Sequence, residues 1–160
     1  MKIQFKKYKN KPSTLSCTRD DGSVTWTKIH PGFEVHDIAH FAIETTLGFE
    51  SAFFGLLKSG HNIGDFEIPR EKRPDALLPK NLPLESLQTE HMVNLLLTEQ
   101  LQTLRHEEYI DTLRAILEEH HLEYPKDLTP QALSKIRKEF NTLHSQWEEI
   151  NPDGELQLWF

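Results

Sequence analysis

The chain has 160 residues, one cysteine, 18 Lys and Arg against 25 Asp and Glu, and 37% hydrophobic side chains. That length suits a single domain of residues 1–160, and no run approaches the roughly 20 apolar residues of a membrane helix. The opening MKIQFKKYKN lacks the apolar stretch that would make it a secretory signal. The lone Cys17 excludes an internal disulfide framework and a cysteine-only zinc site, and it fits a reducing, cytoplasmic setting.

Charge is unevenly spread. Residues 1–33 hold seven basic side chains and two acidic ones, a net +5, which leaves −12 for the remainder of a chain whose total is −7. The lysines read as the wet face and edge of a small sheet, where Lys discourages edge-to-edge pairing. Single-strand or duplex nucleic acid on this basic sheet is the third and least favoured reading, because most of the chain would repel a polyanion.

In chain order, the first 30 residues read as strands, with Ile3 and Phe5 alternating with polar neighbours. Asp21-Gly22 suits a two-residue hairpin turn. With that loop, Cys17 sits opposite Trp26, and Leu15, Cys17, Val24 and Trp26 share the buried face. Ser16, Thr18, Thr25 and Thr27 take the wet one. Pro31-Gly32 ends the strand. A helix is predicted over 34–47 with Gly48 as its left-handed terminator, and a short one over 50–59 ending at Gly60. Residues 61–84, with Pro69, Pro74, Pro79 and Pro83, read as a long irregular connection.

The second half is helical. One helix is predicted over 84–104 with Val93, Leu97, Leu101 and Leu104 as its stripe. Another over 107–121 turns Ile110, Leu113, Ile116 and Leu117 inward. Thr129 caps a third, which starts at Pro130 and carries Leu133, Ile136, Phe140, Leu143, Trp147 and Ile150 at helical spacing. Residues 155–160 alternate as a last strand that returns to the N-terminal sheet. The expected fold is α+β: about five helices packed on a small antiparallel sheet made from the N-terminal hairpin and the C-terminal strand.

The chemically informative segment is His36-Asp37-Ile38-Ala39-His40-Phe41-Ala42-Ile43-Glu44. On a helix His36 and His40 lie one turn apart on one face, with α-carbons about 6 Å apart, where two imidazoles can share a divalent ion. Glu44 extends the row, but it lies about 12 Å from His36 along the axis. It is therefore expected to orient His40, or to touch substrate, rather than to share the ion. A third ligand must come from elsewhere: His30, His61, Asp65 and Glu67 are nearest in sequence, and His61 is the preferred choice. The bland alternative is that the histidines pair with Asp37 and Glu44 on a wet face. Cys17 reads as packing, and His120-His121 as residues favourably placed at a helix C-terminus. There is no Gly-x-Ser-x-Gly elbow, phosphate loop or dinucleotide fingerprint.

His-Asp-x-x-His resembles the His-Glu-x-x-His motif of zincin metallopeptidases over five residues. The resemblance implies His36 and His40 as metal ligands and Asp37 in the place of the general base, one methylene shorter than Glu. Pro31 and the run from His36 to Gly55 also resemble a class of small bacterial proteins with no assigned activity, which implies a fold and no chemistry. An HD-type phosphohydrolase site would need a ligand His well upstream, and His30 stands only six residues before His36.

The expected function is a metal-binding protein or metal-assisted hydrolase. His36, His40 and His61 would hold a divalent metal, zinc foremost. Asp37 and Glu44 would serve the chemistry, and the substrate would be a small molecule or peptide. The alternative is a non-enzymatic protein–protein interaction module that uses the acidic helices of residues 85–123.

Overall fold

The computed structural model describes residues 1–101 and 105–160. Among these the order is β1 (Lys2–Lys6), β2 (Thr14–Thr18), β3 (Val24–Lys28), α1 (Phe33–Leu47), α2 (Phe53–Lys58), α3 (Ile63–Glu67), α4 (Leu84–Gln100), α5 (Tyr109–Glu119), α6 (Pro130–Glu149) and β4 (Glu155–Trp159). The fold is α+β and mainly helical, as expected. No helix among the described residues is long and apolar enough to cross a membrane.

The four strands form one antiparallel sheet in the order β3-β2-β1-β4. The tail does return to the N-terminal strand, with Ile3 opposite Leu158 and Phe5 opposite Leu156. Ile3, Phe5, Leu15, Cys17, Leu156 and Leu158 are buried on the inner face. There the Phe5 ring meets Trp147 of α6 edge-on at 6.1 Å. Burial pushes the Cys17 thiol up to about 12, which suits a packing residue and not a nucleophile.

The hairpin register departs from the sequence reading by one residue. Cys17 faces Thr25, and Ser16 faces Trp26. The loop is longer than Asp21-Gly22: Gly22 N donates to Arg19 O, Arg19 N donates to Ser23 O, and Gly22 sits at φ +84. This is a three-residue connection, a turn followed by a left-handed residue. One extra residue reverses every side chain of β3. Thr25 is therefore buried, while Val24 and Trp26 are 56% and 60% exposed. The inward threonines find polar partners, Thr25 Oγ1 accepting from Ile63 N and Thr27 Oγ1 donating to Glu67.

The connection over 61–84 is less irregular than expected, since it contains α3 and short 3-10 turns at Arg70–Lys72 and Asp75–Leu77. In α4 the stripe is also different. Val93 is buried and Leu97 partly so, but Leu101 is 76% exposed, and Leu104 lies outside the described residues. The helix instead buries Ser86, Thr89, Val93 and Leu96 together with Gln88, Met92, Leu95 and Glu99. Two buried stripes arise because α4 lies between α1 and α5. α6 buries Leu133, Ile136, Phe140, Leu143 and Trp147, and Thr129 Oγ1 accepts from Ala132 N at its start.

α1 is the central element, packed against α2, α4 and α6. Gly48 ends it at φ +67, the left-handed terminator expected. The chain then turns back into α2 so tightly that a Cβ on Gly55 would run into the backbone carbonyl of Glu50. Gly55→Ala should therefore destabilise the protein by about 2 kcal/mol or more; an unchanged denaturation midpoint would show that this turn can relax.

Candidate functional site

Because α1 is covered on several sides, the polar row of His36, His40 and Glu44 is not a wet face. His40 and Glu44 are 2% and 0% exposed, and only His36 reaches solvent in part. The cover comes from α2 and α4.

Glu44 faces the start of α2. The residue before that helix is Ala52, which has no side-chain acceptor. The orphan N–H groups of Phe54 and Gly55 donate instead to Glu44 Oε2, at 2.9 and 3.3 Å. The other oxygen, Oε1, lies 3.2 Å from His40 Nδ1. One buried carboxylate thus caps a helix and fixes an imidazole.

α4 is docked by its first turn. Glu85 Oε2 accepts from the N–H groups of Glu50 and Ser51 and from the Ser51 hydroxyl, and Ser86 Oγ donates to Ser51 O. One turn further along, Glu90 reaches α1. Its carboxylate lies 3.4 Å from His40 Nε2 and 4.0 Å from His36 Nε2. Asp37 is 3.5 Å from His36 Nδ1. The two imidazoles therefore share one arrangement: Nδ1 is backed by a carboxylate, Asp37 or Glu44, and Nε2 points to Glu90. The rings are 4.8 Å apart between centroids. One ligating atom from each of His36, His40 and Glu90 lies within 4.8 Å of the others, the one such group of three among the described residues.

His36 and His40 come together, with ring centroids 4.8 Å apart, and Glu44 contacts His40 Nδ1. Asp37 turns toward His36. His61 does not join the group; its carbonyl accepts from the Arg19 guanidinium. Asp65 accepts from Asn62 N at the start of α3, Glu67 accepts from Thr27, and His30 packs edge-on against Phe33. His120 lies against His91 with the rings tilted and their centroids 4.7 Å apart. The member of this group that sequence reasoning missed is Glu90. It stands fifty residues from His40 on another helix, and no local spacing singles it out from the other carboxylates of that helix.

Beside the pair lies a hollow of about 150 Å³, bordered by His30, Phe33, Asp37, Phe53, Phe66 and Glu67. Phe53 contacts the His40 ring and Phe33 the His36 ring, at 5.4 and 6.1 Å. That volume is below the roughly 300 Å³ of a drug-sized pocket, so it suits one small group. A larger cavity of about 420 Å³ is bordered by Glu44 with Phe49, Lys58, Trp159 and Phe160; His36, His40 and Glu90 line neither cavity. The smaller hollow reaches the histidine pair only through Asp37 and through Phe33 and Phe53, the rings that touch the imidazoles.

Comparison with family models, with curated proteins and with solved structures finds no match to this chain. The site is therefore read from its own geometry.

Burial by itself would pull His40 down, but the hydrogen bonds and charges of Glu44 and Glu90 outweigh it and hold the imidazole up to about 10. Glu90 is likewise held below the usual carboxylate range: its burial works the other way, but the hydrogen bond and charge of His40, with His36 and His91, prevail. A raised imidazole adds stability in full below its unfolded value of 6.5 and loses it as pH climbs toward about 10. With a chelator present, the wild type should lose unfolding free energy across that interval more steeply than His40→Asn; parallel profiles would contradict it. Glu44→Ala leaves His40 Nδ1 and two N–H groups unpaired in the interior, and should cost about 3 kcal/mol or more in chemical denaturation. Glu44→Gln retains an acceptor and should cost less.

Proposed function

We propose that this chain is a divalent-metal-binding protein in which His36, His40 and Glu90 hold one ion, and that the ion serves a hydrolytic reaction on a small substrate. The observation that carries this reading is the repeated carboxylate–imidazole pairing. Metal-ligating histidines typically give their second ring nitrogen to such a partner, which fixes the tautomer and raises the basicity of the ligating nitrogen. Here Glu44 stands in that position for His40, at 3.2 Å, and Asp37 lies on the same side of His36, 3.5 Å from its Nδ1, with Nε2 of both rings toward Glu90.

The separations fit an ion. Bonds of about 2.1 Å at a tetrahedral angle place ligand atoms roughly 3.4 Å apart. Glu90 Oε1 is 3.4 Å from His40 and its Oε2 4.0 Å from His36, and one ligand atom from each of the three residues lies within 4.8 Å of the others, so the side chains would draw together to close on an ion. Two imidazoles and a carboxylate suit zinc, and with open positions they also suit ferrous iron. A bound divalent ion would acidify a coordinated water or polarise a carbonyl or phosphoryl oxygen. The departure from the zincin pattern matters here: Asp37 faces His36, which makes it a positioning group rather than the general base. The hollow between Phe33 and Phe53 would admit one small substrate group.

A second reading has its own support. His40, almost wholly buried between Glu44 and Glu90, also fits an imidazolium that holds α1, α2 and α4 together with no ion. Titration of the chelator-treated, untagged protein with zinc by calorimetry separates the two. Metal binding predicts about one ion per chain, proton release on binding, and a loss of affinity of roughly tenfold or more in Asp37→Ala. Glu90→Gln and His40→Asn should lose the site, while His61→Ala should keep it. Failure of the wild type to bind zinc or ferrous iron would leave the ion-pair reading.

A further inference from the structure

The outer face of the sheet carries a second surface that the metal site does not use. By the strand registers, its rows are Val24–Thr18–Lys2–Trp159, Trp26–Ser16–Gln4–Gln157 and Lys28–Thr14–Lys6–Glu155. None of these residues is buried, and Trp26 and Trp159 are 60% and 67% exposed. The helices pack on the other face, leaving this one open.

We propose that this face binds a single-stranded nucleic acid, with Trp26 and Trp159 stacking on bases and Lys2, Lys6 and Lys28 meeting phosphates.

Each exposed ring has a lysine beside it. Lys2 is the cross-strand partner of Trp159, and Lys28 lies two positions along β3 from Trp26, on the same face. Strands about 4.8 Å apart put the two tryptophans three spacings, or roughly 14 Å, apart across the sheet. Between them lie Ser16, Gln4, Gln157 and Thr18, which can donate to and accept from base edges and sugars. At the Lys6 corner, Lys6 and Lys11 lie over the Tyr8 ring, at 5.6 and 4.0 Å, which keeps positive charge on that side.

Charge complementarity selects this occupant. The face has three lysines against one carboxylate, Glu155, which Gln4 and Gln157 hold by their amides. It belongs to the +5 end of a chain that is otherwise strongly acidic. A protein partner would call for a continuous apolar patch, but here the tryptophans stand apart with polar residues between them. Stacking requires exposed base faces, so a single strand fits and a duplex does not. Trp26 points to this surface only because of the five-residue span from Arg19 to Ser23; the shorter loop would have buried it.

The test is fluorescence anisotropy of a labelled single-stranded oligonucleotide of about 12 mixed-sequence residues, as RNA and as DNA, titrated with the full chain at about 50 mM salt. Either form should bind, quenching the exposed tryptophans, with a slope of log K against log salt near −2 for three phosphate contacts. Trp26→Ala and Trp159→Ala should each weaken binding by about tenfold with an unchanged circular dichroism spectrum. Lys2→Glu should weaken it and flatten the salt slope. Absence of binding, tryptophan variants that bind like the wild type, or equal affinity for a duplex of the same sequence would each overturn the proposal.

Discussion

The buried carboxylate of Glu44 is the constraint on which the rest of the site depends. Enclosed in the centre of the helical body, it must find partners for both oxygens, because an unpaired interior charge is very unfavourable. Oε2 takes the first free N–H groups of α2, and Oε1 takes His40. The first contact fixes how α2 leaves α1; the second fixes the ring of His40 and sends Nε2 toward α4. Glu90 then meets it because Glu85 and Ser86 have already tied the start of α4 to the turn at Ser51. The convergence of two imidazoles and a carboxylate follows from helix caps as much as from any contact at the site itself.

The same arrangement bears on the choice between an ion and an ion pair. His40 lies between two carboxylates, and either a proton or a metal can balance them. These two compete for the same Nε2 lone pair. A site with this architecture would bind a metal only by releasing a proton, so the two readings describe two occupants of one electrostatic well. Half-exposed Glu90 and partly exposed His36 are the members that an arriving ion would meet first.

Much of the fold was legible because its signals are local. The Pro130 start and the spacing from Leu133 to Trp147 specify α6, Gly48 marks the end of α1, and the alternation of Leu156 and Leu158 marks β4. The His36–His40 pairing was legible for the same reason, since one helical turn sets it. What escaped the sequence was non-local or hung on a single residue. Glu90 is brought to His40 by tertiary packing alone. The burial of His40 and Glu44 follows from the number of helices around α1. The stripe of α4 was misplaced because a helix with neighbours on two sides lacks a single apolar face. The hairpin error is the sharpest case: Asp21-Gly22 correctly marks a turn, but the count of loop residues decides which face Trp26 occupies.

The pairing of β1 with β4 sets the order in which this molecule can form. Residues 2–6 sit in the middle of the sheet, yet one of their two partners is residues 155–159. A contact separated by some 150 positions closes late, since a large loop must be drawn together before any ladder bond repays it. Until then the free edge of β1 can pair with another chain. The helices, whose contacts are mostly nearer in sequence, can gather first around α1 and offer the apolar surface on which the tail settles. Crowded or rapid synthesis would therefore endanger this protein most during the interval before its last strand arrives.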